Sequence, residues 1–196
     1  MEITKPIQAY SNALRKICPD LNSDEIDFHI TKVTISKLKA KQNYIIAGEI
    51  QDSLGFVFRG LLRIFFINNM GEEITITFIK ENLYASDYNA FINQNPSKYY
   101  IQTIEPTLLV NIPFDLIQES YSKYKNFEKF GRLIAEKYLN NRQNRIESFL
   151  FESAEQRYIK FISQNNNLLN RISQTHLCSF LGIKRQTLTR IRKRLT

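Results

Sequence analysis

The chain has 196 residues and a net charge of +8, with 43% hydrophobic and 23% charged residues. This composition, with six Gly and five Pro, excludes collagen-like, low-complexity and wholly disordered proteins. The length fits one large domain, or a medium domain with a small one. The richest apolar stretch, residues 61–67, is broken by Arg63 and is far shorter than the ~18 residues of a membrane helix. We therefore expect a cytoplasmic protein with no membrane partner.

Cysteine and histidine are scarce. Cys18 and Cys178 are too few and too far apart for a disulfide framework or an iron–sulfur cluster. His29 and His176 are the only histidines, so an imidazole-rich metal site is unsupported, and we expect both at surface or satisfied polar positions. There is no nucleophile motif or phosphate loop either. The sequence predicts no enzyme, no catalytic residue, no metal and no cofactor.

The positive charge is concentrated at the C-terminal end. Residues 150–196 contain nine Lys or Arg and only two Glu, whereas residues 1–149 are nearly neutral. Clustered cations favour a polyanionic partner, because they neutralise phosphates and release counterions. A solvated terminal helix would have the same composition, so only the sequence pattern within this segment can distinguish it from a polyanion-binding segment.

In chain order, residues 1 to about 30 predict a short helical segment with Ser23 as N-cap. Residues 33–112 contain short β-branched and aromatic runs separated by turn residues, which predict a small antiparallel sandwich or barrel. The predicted strands are 33–37, 43–47, 56–59, 62–67, 74–79, 99–104 and 108–112. Gly60 and Gly71 supply the positive φ that tight hairpins require.

Beyond Pro113 the pattern becomes helical, with a helix to residue 121 and a longer one over 127–151. One apolar stripe on the longer helix is formed by Phe127, Phe130, Ile134 and Tyr138. This stripe could pack either against the chain's own β-domain or against the same helix of a second copy. A helix of about 25 residues at ~1.5 Å per residue spans more than such a domain comfortably covers, so we favour a homodimer seam.

The last segment predicts three helices, the first capped by Ser153 with Gln156 in a capping box. Residues 174–191 have the pattern of a helix-turn-helix, with small Cys178 where two helices meet and Gly182 in the turn. Its apolar core positions are Leu177, Leu181, Ile183, Leu188 and Ile191. An unrelated helical hairpin is the alternative, which the cationic second helix makes the minority view.

Taken in order, these parts resemble the Crp/Fnr family of bacterial transcription regulators. The resemblance covers about residue 30 to the end. It is carried by Gly48-Glu49, the turn at residues 56–60, the Gly71-Glu72-Glu73 turn and, most specifically, residues 172–194.

The resemblance implies an α+β protein with a cyclic-nucleotide-binding-like jelly-roll barrel, a dimerisation helix and a helix-turn-helix. The expected domains are 1–125, 126–151 and 152–196. The chain ends after the second helix of the motif, so a β-hairpin wing is expected to be missing. The expected partners are double-stranded DNA carrying a pseudo-palindromic operator, a second copy of the chain, RNA polymerase and a small-molecule effector.

The effector positions depart from those of cyclic-nucleotide binders. The family's ribose- and phosphate-binding positions correspond here to Ser86, Asp87 and Tyr88, and to Ser97 and Lys98. The arginine that would bind a phosphate in bidentate fashion is missing, and Lys98 offers only a point charge. We expect a pocket too filled by tyrosines, or too poorly charged, for cyclic AMP.

On the second helix of the motif, four side chains are predicted to project from the face opposite the core: Arg185, Gln186, Thr189 and Arg190. These are the candidates for reading bases in the major groove. Four further cations, Lys184, Arg192, Lys193 and Arg194, are placed for phosphate contacts. The alternative function is a ligand-sensing or protein-interaction barrel whose helical tail serves assembly only.

Overall fold

The computed structural model describes residues 4–195. The helices are α1 (Thr4–Ile17), α2 (Ser23–Ile30), α3 (Tyr88–Ile92), α4 (Phe114–Lys123), α5 (Lys125–Phe151), α6 (Ala154–Gln164), α7 (Gln174–Leu181) and α8 (Arg185–Leu195), with a 3-10 turn at Asn166–Leu168. The strands are β1 (Thr34–Leu38), β2 (Asn43–Ile45), β3 (Ser53–Arg59), β4 (Leu62–Ile67), β5 (Glu73–Ile79), β6 (Tyr84–Ala85), β7 (Tyr100–Thr103) and β8 (Thr107–Pro113). All seven predicted strands are confirmed, whereas β6 and α3 were not predicted. Residues 1–3 and Thr196, at the outer limits of the predicted domains, lie outside the described residues.

The N-terminal segment forms two helices where the sequence predicted one short helical lead-in. The predicted N-cap at Ser23 is wrong by one residue. The Asn22 side chain accepts from the Glu25 backbone N–H at 2.9 Å, and the Glu25 carboxylate accepts from that of Asn22 at 2.9 Å. A capping box needs Glu or Gln three residues after the cap, and only Asn22 meets that spacing.

The strands form two antiparallel four-stranded sheets with the orders β1-β8-β3-β6 and β2-β7-β4-β5. The prediction of a barrel is therefore wrong, because each sheet is open. Closure would need a continuous hydrogen-bonded ladder from one sheet to the other, and the edge strands β2 and β6 have only three and two residues. A core of aliphatic side chains lies between the sheets, including Val57, Leu62, Ile64, Ile101 and Leu109.

The longest helix, α5, has 27 residues and is separated from α4 by Tyr124 alone. Its N-terminal half packs into a second core with α1, α2 and α4, in which Tyr10, Leu14, Phe56 and Leu116 are fully buried. Its C-terminal half extends beyond this core. No described helix is both long enough and apolar enough to cross a membrane.

The C-terminal helices share a third core with the β-domain. Leu61 and Phe78 of the β-domain pack with Phe161, Leu177 and Leu188. The predicted capping box of α6 is confirmed, because Ser153 Oγ accepts from the backbone of Gln156 at 3.3 Å. This shared core places α7 and α8 directly against the sandwich.

Candidate nucleic-acid interface and sensor cavity

Helices α7 and α8 are joined by a short turn at residues 182–184. Leu177, Cys178 and Leu181 of α7 are buried, and Leu188 and Ile191 of α8 close the same core. Gly182 in the turn has φ +67°, and a Cβ there would lie 2.8 Å from the Phe149 ring of α5. Glycine thus suits the left-handed backbone conformation of the turn, and a Cβ there would displace the half-exposed Phe149 ring.

The four predicted base-reading side chains lie near the N-terminus of α8, where Arg185, Gln186, Thr189 and Arg190 are exposed. The Arg185 guanidinium donates to the Thr175 hydroxyl of α7. The Thr189 hydroxyl donates to the carbonyl of Arg185 at 3.1 Å. Since Leu188 and Ile191 are buried, the face of α8 that carries these side chains is directed away from the core.

The four predicted phosphate contacts divide into two groups. The side chains of Lys184 and Lys193 are exposed and form no hydrogen bond or ion pair with another described residue. Arg192 Nε donates to the Tyr158 hydroxyl at 3.2 Å, and Arg194 forms a 3.0 Å ion pair with Glu155. These two arginines therefore also hold α8 against α6. Helix α8 contains no acidic residue, so all of its charged side chains are positive.

The structure brings three of the five residues predicted for the effector pocket into direct contact: Asp87, Ser97 and the backbone of Lys98. Asp87 is buried and accepts from Ser97 Oγ at 3.0 Å and from the backbone N–H of Lys98 at 3.4 Å. Ser86 donates to Gln51 at 3.0 Å. The Lys98 side chain is exposed. The polar groups of this segment are thus satisfied by one another, and only Ser86 and Tyr88 line the neighbouring cavity.

That cavity, which we call the sensor cavity, has a volume of about 740 Å³ and is lined by residues of strands β3 to β6 and of helices α1 to α7. Tyr88 does not fill it: its ring packs on Tyr138 of α5, with centroids 4.7 Å apart. Tyr99 and Tyr100 do not line it. The sensor cavity is thus distinct from the predicted pocket, and Lys98 is not among its lining residues.

Two of the four residues predicted for a dimer seam are buried within the protomer. Phe127 is 0% and Phe130 is 7% exposed, and the Phe127 ring lies 4.2 Å from that of His29. Ile134 packs at the edge of the same core, and Tyr138 contacts Tyr88. These side chains serve the chain's own fold, which was the alternative considered from the sequence.

A different stripe of α5 is exposed. Leu139, Ile146 and Leu150 are 67%, 56% and 70% exposed. Their spacing of seven and four residues places them on one side of the helix. We call this set the α5 stripe. The sequence pattern contained both stripes, and only the packing of the N-terminal half of α5 distinguishes them.

His29 fulfils the expectation of a satisfied polar position, because its ring lies 2.9 Å from the Tyr10 hydroxyl and 2.6 Å from Ser120 Oγ. Burial lowers the pKa of His29 to about 4. His176 is half-buried. Its pKa is lowered by burial and then by the charge of Arg63, and its buried Nδ1 has no hydrogen-bond partner among the described residues.

The sequence missed a cluster that joins the C-terminal helices to the sandwich. Arg171, just before α7, binds Glu81 at 2.7 and 3.1 Å and Glu105 at 2.6 and 3.2 Å. Burial alone would raise the pKa of Glu81, but the hydrogen bonds from Arg171 keep it below its ordinary value. We call these three residues the Arg171 clamp. No local pattern marks them, because the two carboxylates lie in turns far apart in the sequence.

A second contact lies at the open edge of β5. The backbone N–H of Thr75 donates to Ser179 Oγ at 2.8 Å, and that hydroxyl donates to the carbonyl of Glu73 at 2.9 Å. Helix α7 thereby occupies backbone groups that an edge strand leaves unpaired.

Comparison with solved structures shows which proteins share this architecture. The c-di-GMP-responsive global regulator CLP from Xanthomonas campestris aligns with a TM-score of 0.68 at 13% identity, over 89% of this chain and 91% of that one. FixK2 from Bradyrhizobium japonicum aligns with a TM-score of 0.70 at 14% identity, over 83% and 84% of the two chains. A Eubacterium rectale protein assigned to the Crp/Fnr transcriptional regulators gives 0.66 at 17% identity, over 89% and 83%.

The chain therefore has the fold of the Crp/Fnr regulators, over most of its length and most of theirs. No protein-family profile and no curated protein sequence matches it. The low identities make the fold the shared property. What this chain binds has to be argued from its own residues.

Proposed function

We propose that this protein is a Crp/Fnr-type transcription regulator that binds DNA sequence-specifically as a homodimer. The observation that carries the proposal is the exposed face of α8, where Arg185, Gln186, Thr189 and Arg190 lie together on a helix without acidic residues. The buried partners of α8 and the turn at Gly182 support its assignment, with α7, to a helix-turn-helix. The two strand orders support assigning the sandwich to the jelly-roll class.

The proposed division of labour follows from position along α8. Arg185 and Arg190 present two-pronged donors suited to guanine O6 and N7, and Gln186 suits adenine N6 and N7. Thr189 lies between them. Lys184, Arg192, Lys193 and Arg194 would bind phosphates, which orient the protein without reading sequence. Arg192 and Arg194 would do so while staying anchored to α6.

We propose that the homodimer forms through the α5 stripe rather than through Phe127, Phe130, Ile134 and Tyr138. Three large exposed aliphatic side chains on one side of a long helix have the spacing of a two-stranded coiled coil. A twofold axis along α5 would present two α8 helices to half-sites ~34 Å apart on a pseudo-palindromic operator.

The same proposal includes an effector other than cyclic AMP. A bidentate phosphate site is unsupported where Asp87 and Ser97 satisfy each other and Lys98 points outside. RNA polymerase remains an expected partner on the strength of the resemblance. We assign no catalytic role to any residue.

The decisive experiment is selection of DNA from a random pool by the purified protein, followed by gel-shift titration of the enriched sequence and a scrambled control. The regulator proposal expects an enriched palindrome bound at least ~10³-fold more tightly than the control. The alternative function, a sensing or interaction module with an assembly tail, predicts no enrichment. That outcome, with equal affinity for both DNAs, would refute the proposed function.

A further inference from the structure

The sensor cavity is unevenly charged. Its lining includes five cationic side chains, Lys137, Arg142, Arg145, Arg157 and Lys160, and a single carboxylate, Glu152. That carboxylate already forms a 2.5 Å ion pair with Lys160. The cations all come from α5 and α6, so the excess positive charge lies along one wall of the cavity.

No ion pair joins the three arginines of this wall to a described carboxylate, although the charge of Glu152 acts favourably on Arg145. Arg145 and Arg157 donate to backbone carbonyls at the end of α7 and at Glu152. The guanidinium carbon of Arg142 lies 5.0 Å from the centroid of the Tyr138 ring. The Arg142 side chain forms no hydrogen bond or ion pair with another described residue. Burial, and then the charges of Arg157 and Arg142, lower the pKa of Arg145 to about 10, so it remains charged at neutral pH. A half-buried group of like charges attracts an anion.

The lining also includes apolar side chains of β4, β5 and α3, such as Ile64, Ile76, Phe78 and Phe91. A volume of about 740 Å³ lies within the range that holds a small organic ligand. Covering these side chains with hydrocarbon releases water, whereas a small inorganic anion would leave them wet.

We infer that the sensor cavity binds an amphiphilic anion, with the apolar body against β4 and β5 and the carboxylate or phosphate head beside Arg142. This ligand would be the effector of the regulator under the proposed function, on which that part of the inference rests. The inference then names the chemical class of the effector. The site differs from the predicted pocket at residues 86–88 and 97–98, because here α5 supplies the cation.

The test is calorimetric titration of the full chain, without DNA, with decanoate, decyl phosphate and decan-1-ol. We expect saturable binding of one or both anions and at least tenfold weaker binding of the alcohol. The two anionic probes share a hydrocarbon body, so the ratio of their dissociation constants identifies the preferred head group.

Arg142→Gln should weaken binding of the anions about 10- to 100-fold, the loss of a charge-assisted hydrogen bond, and leave binding of the alcohol unchanged. Lys137→Gln is the second variant, should Arg142→Gln fold poorly. Lys125→Gln, an exposed position of α5 outside the cavity, is the matched control and should bind like the wild type.

No anion binding at millimolar concentration, equal affinity for the alcohol, or equal effects of Arg142→Gln and Lys125→Gln would overturn the inference. Because the titration contains no DNA, its result does not depend on the gel shift. A protein that binds decanoate and no DNA would refute the regulator and leave the cavity assignment standing.

Discussion

At the scale of single residues, the proposed function assigns base reading and phosphate binding to different side chains of α8. Arg190 is exposed near the N-terminal turns, whereas Lys193 lies one turn further on. Both can be removed without opening the core, because Leu188 and Ile191 hold the helix in place.

Arg190→Ala should cost ~1 to 3 kcal/mol on the selected operator and relax the preference at one base pair per half-site. Lys193→Ala should weaken binding to selected and scrambled DNA alike and flatten the salt dependence. Titrating both DNAs with the wild type and with each variant, at two salt concentrations, compares their affinities. Equal losses for the two variants on both DNAs would contradict the assigned roles.

The buried His29 network makes a prediction about pH. In the folded protein the pKa of His29 is about 4, below the 6.5 of an exposed histidine, so the unfolded chain binds the proton more readily. The contribution of neutral His29 to the unfolding free energy is therefore fully present above pH 6.5, and it is lost as the pH falls towards 4. It amounts to about 3 kcal/mol for a shift of this size.

His29→Gln should therefore flatten the dependence of the unfolding free energy on pH between 6.5 and 4, measured by urea denaturation. His176→Gln is the matched control. Its histidine is only half-buried, so the slope should change less. An unchanged slope in His29→Gln would show that His29 is already protonated in the fold.

At the scale of elements, α5 has two apolar faces in different surroundings. Phe127 and Phe130 hold its N-terminal half in the protomer core, and the α5 stripe is left exposed. A charge at Phe130 would unfold the protomer, since it would lie unpaired in the core. Such a variant cannot distinguish a dimer seam from a core.

Leu139→Glu combined with Ile146→Glu should convert the dimer to a monomer and leave the unfolding free energy of the protomer within about 0.5 kcal/mol, because both positions are exposed. Asn140→Glu, exposed and adjacent to the stripe, is the control and should stay dimeric. Sedimentation measures the mass. A monomeric wild type, or an unaffected double variant, would exclude this seam.

At the scale of the whole molecule, polar contacts attach the C-terminal helices to the sandwich, among them a 3.3 Å hydrogen bond from Lys80 to Asn165. The Arg171 clamp joins them to the turns after β5 and β7, and Ser179 occupies the edge of β5. Any change in the sandwich that moves these turns therefore changes where α8 is held.

Arg171→Met should loosen this attachment while the sandwich stays folded, because the thioether keeps the bulk of the side chain and removes its hydrogen bonds. We expect faster hydrogen exchange at the Thr75 amide and in α7, by about 10-fold or more for the loss of charged hydrogen bonds. Exchange in α1 and α2 serves as the internal reference. Uniform acceleration would indicate general destabilisation, and no acceleration would show that the clamp is dispensable.

The sequence by itself determined the seven main strands, the long helix, the Ser153 capping box and the apolar pattern of residues 174–191. These depend on alternation, helical periodicity and caps, which are local properties of the chain. It placed the cap of α2 one residue late, missed β6 and α3, and favoured as a dimer seam a face of α5 that packs within the protomer. Only the tertiary structure decided that face, the open sheets, the Arg171 clamp and the charged wall of the sensor cavity. Each of these depends on which distant segments meet, and a periodic pattern shows that a face is apolar without showing what covers it.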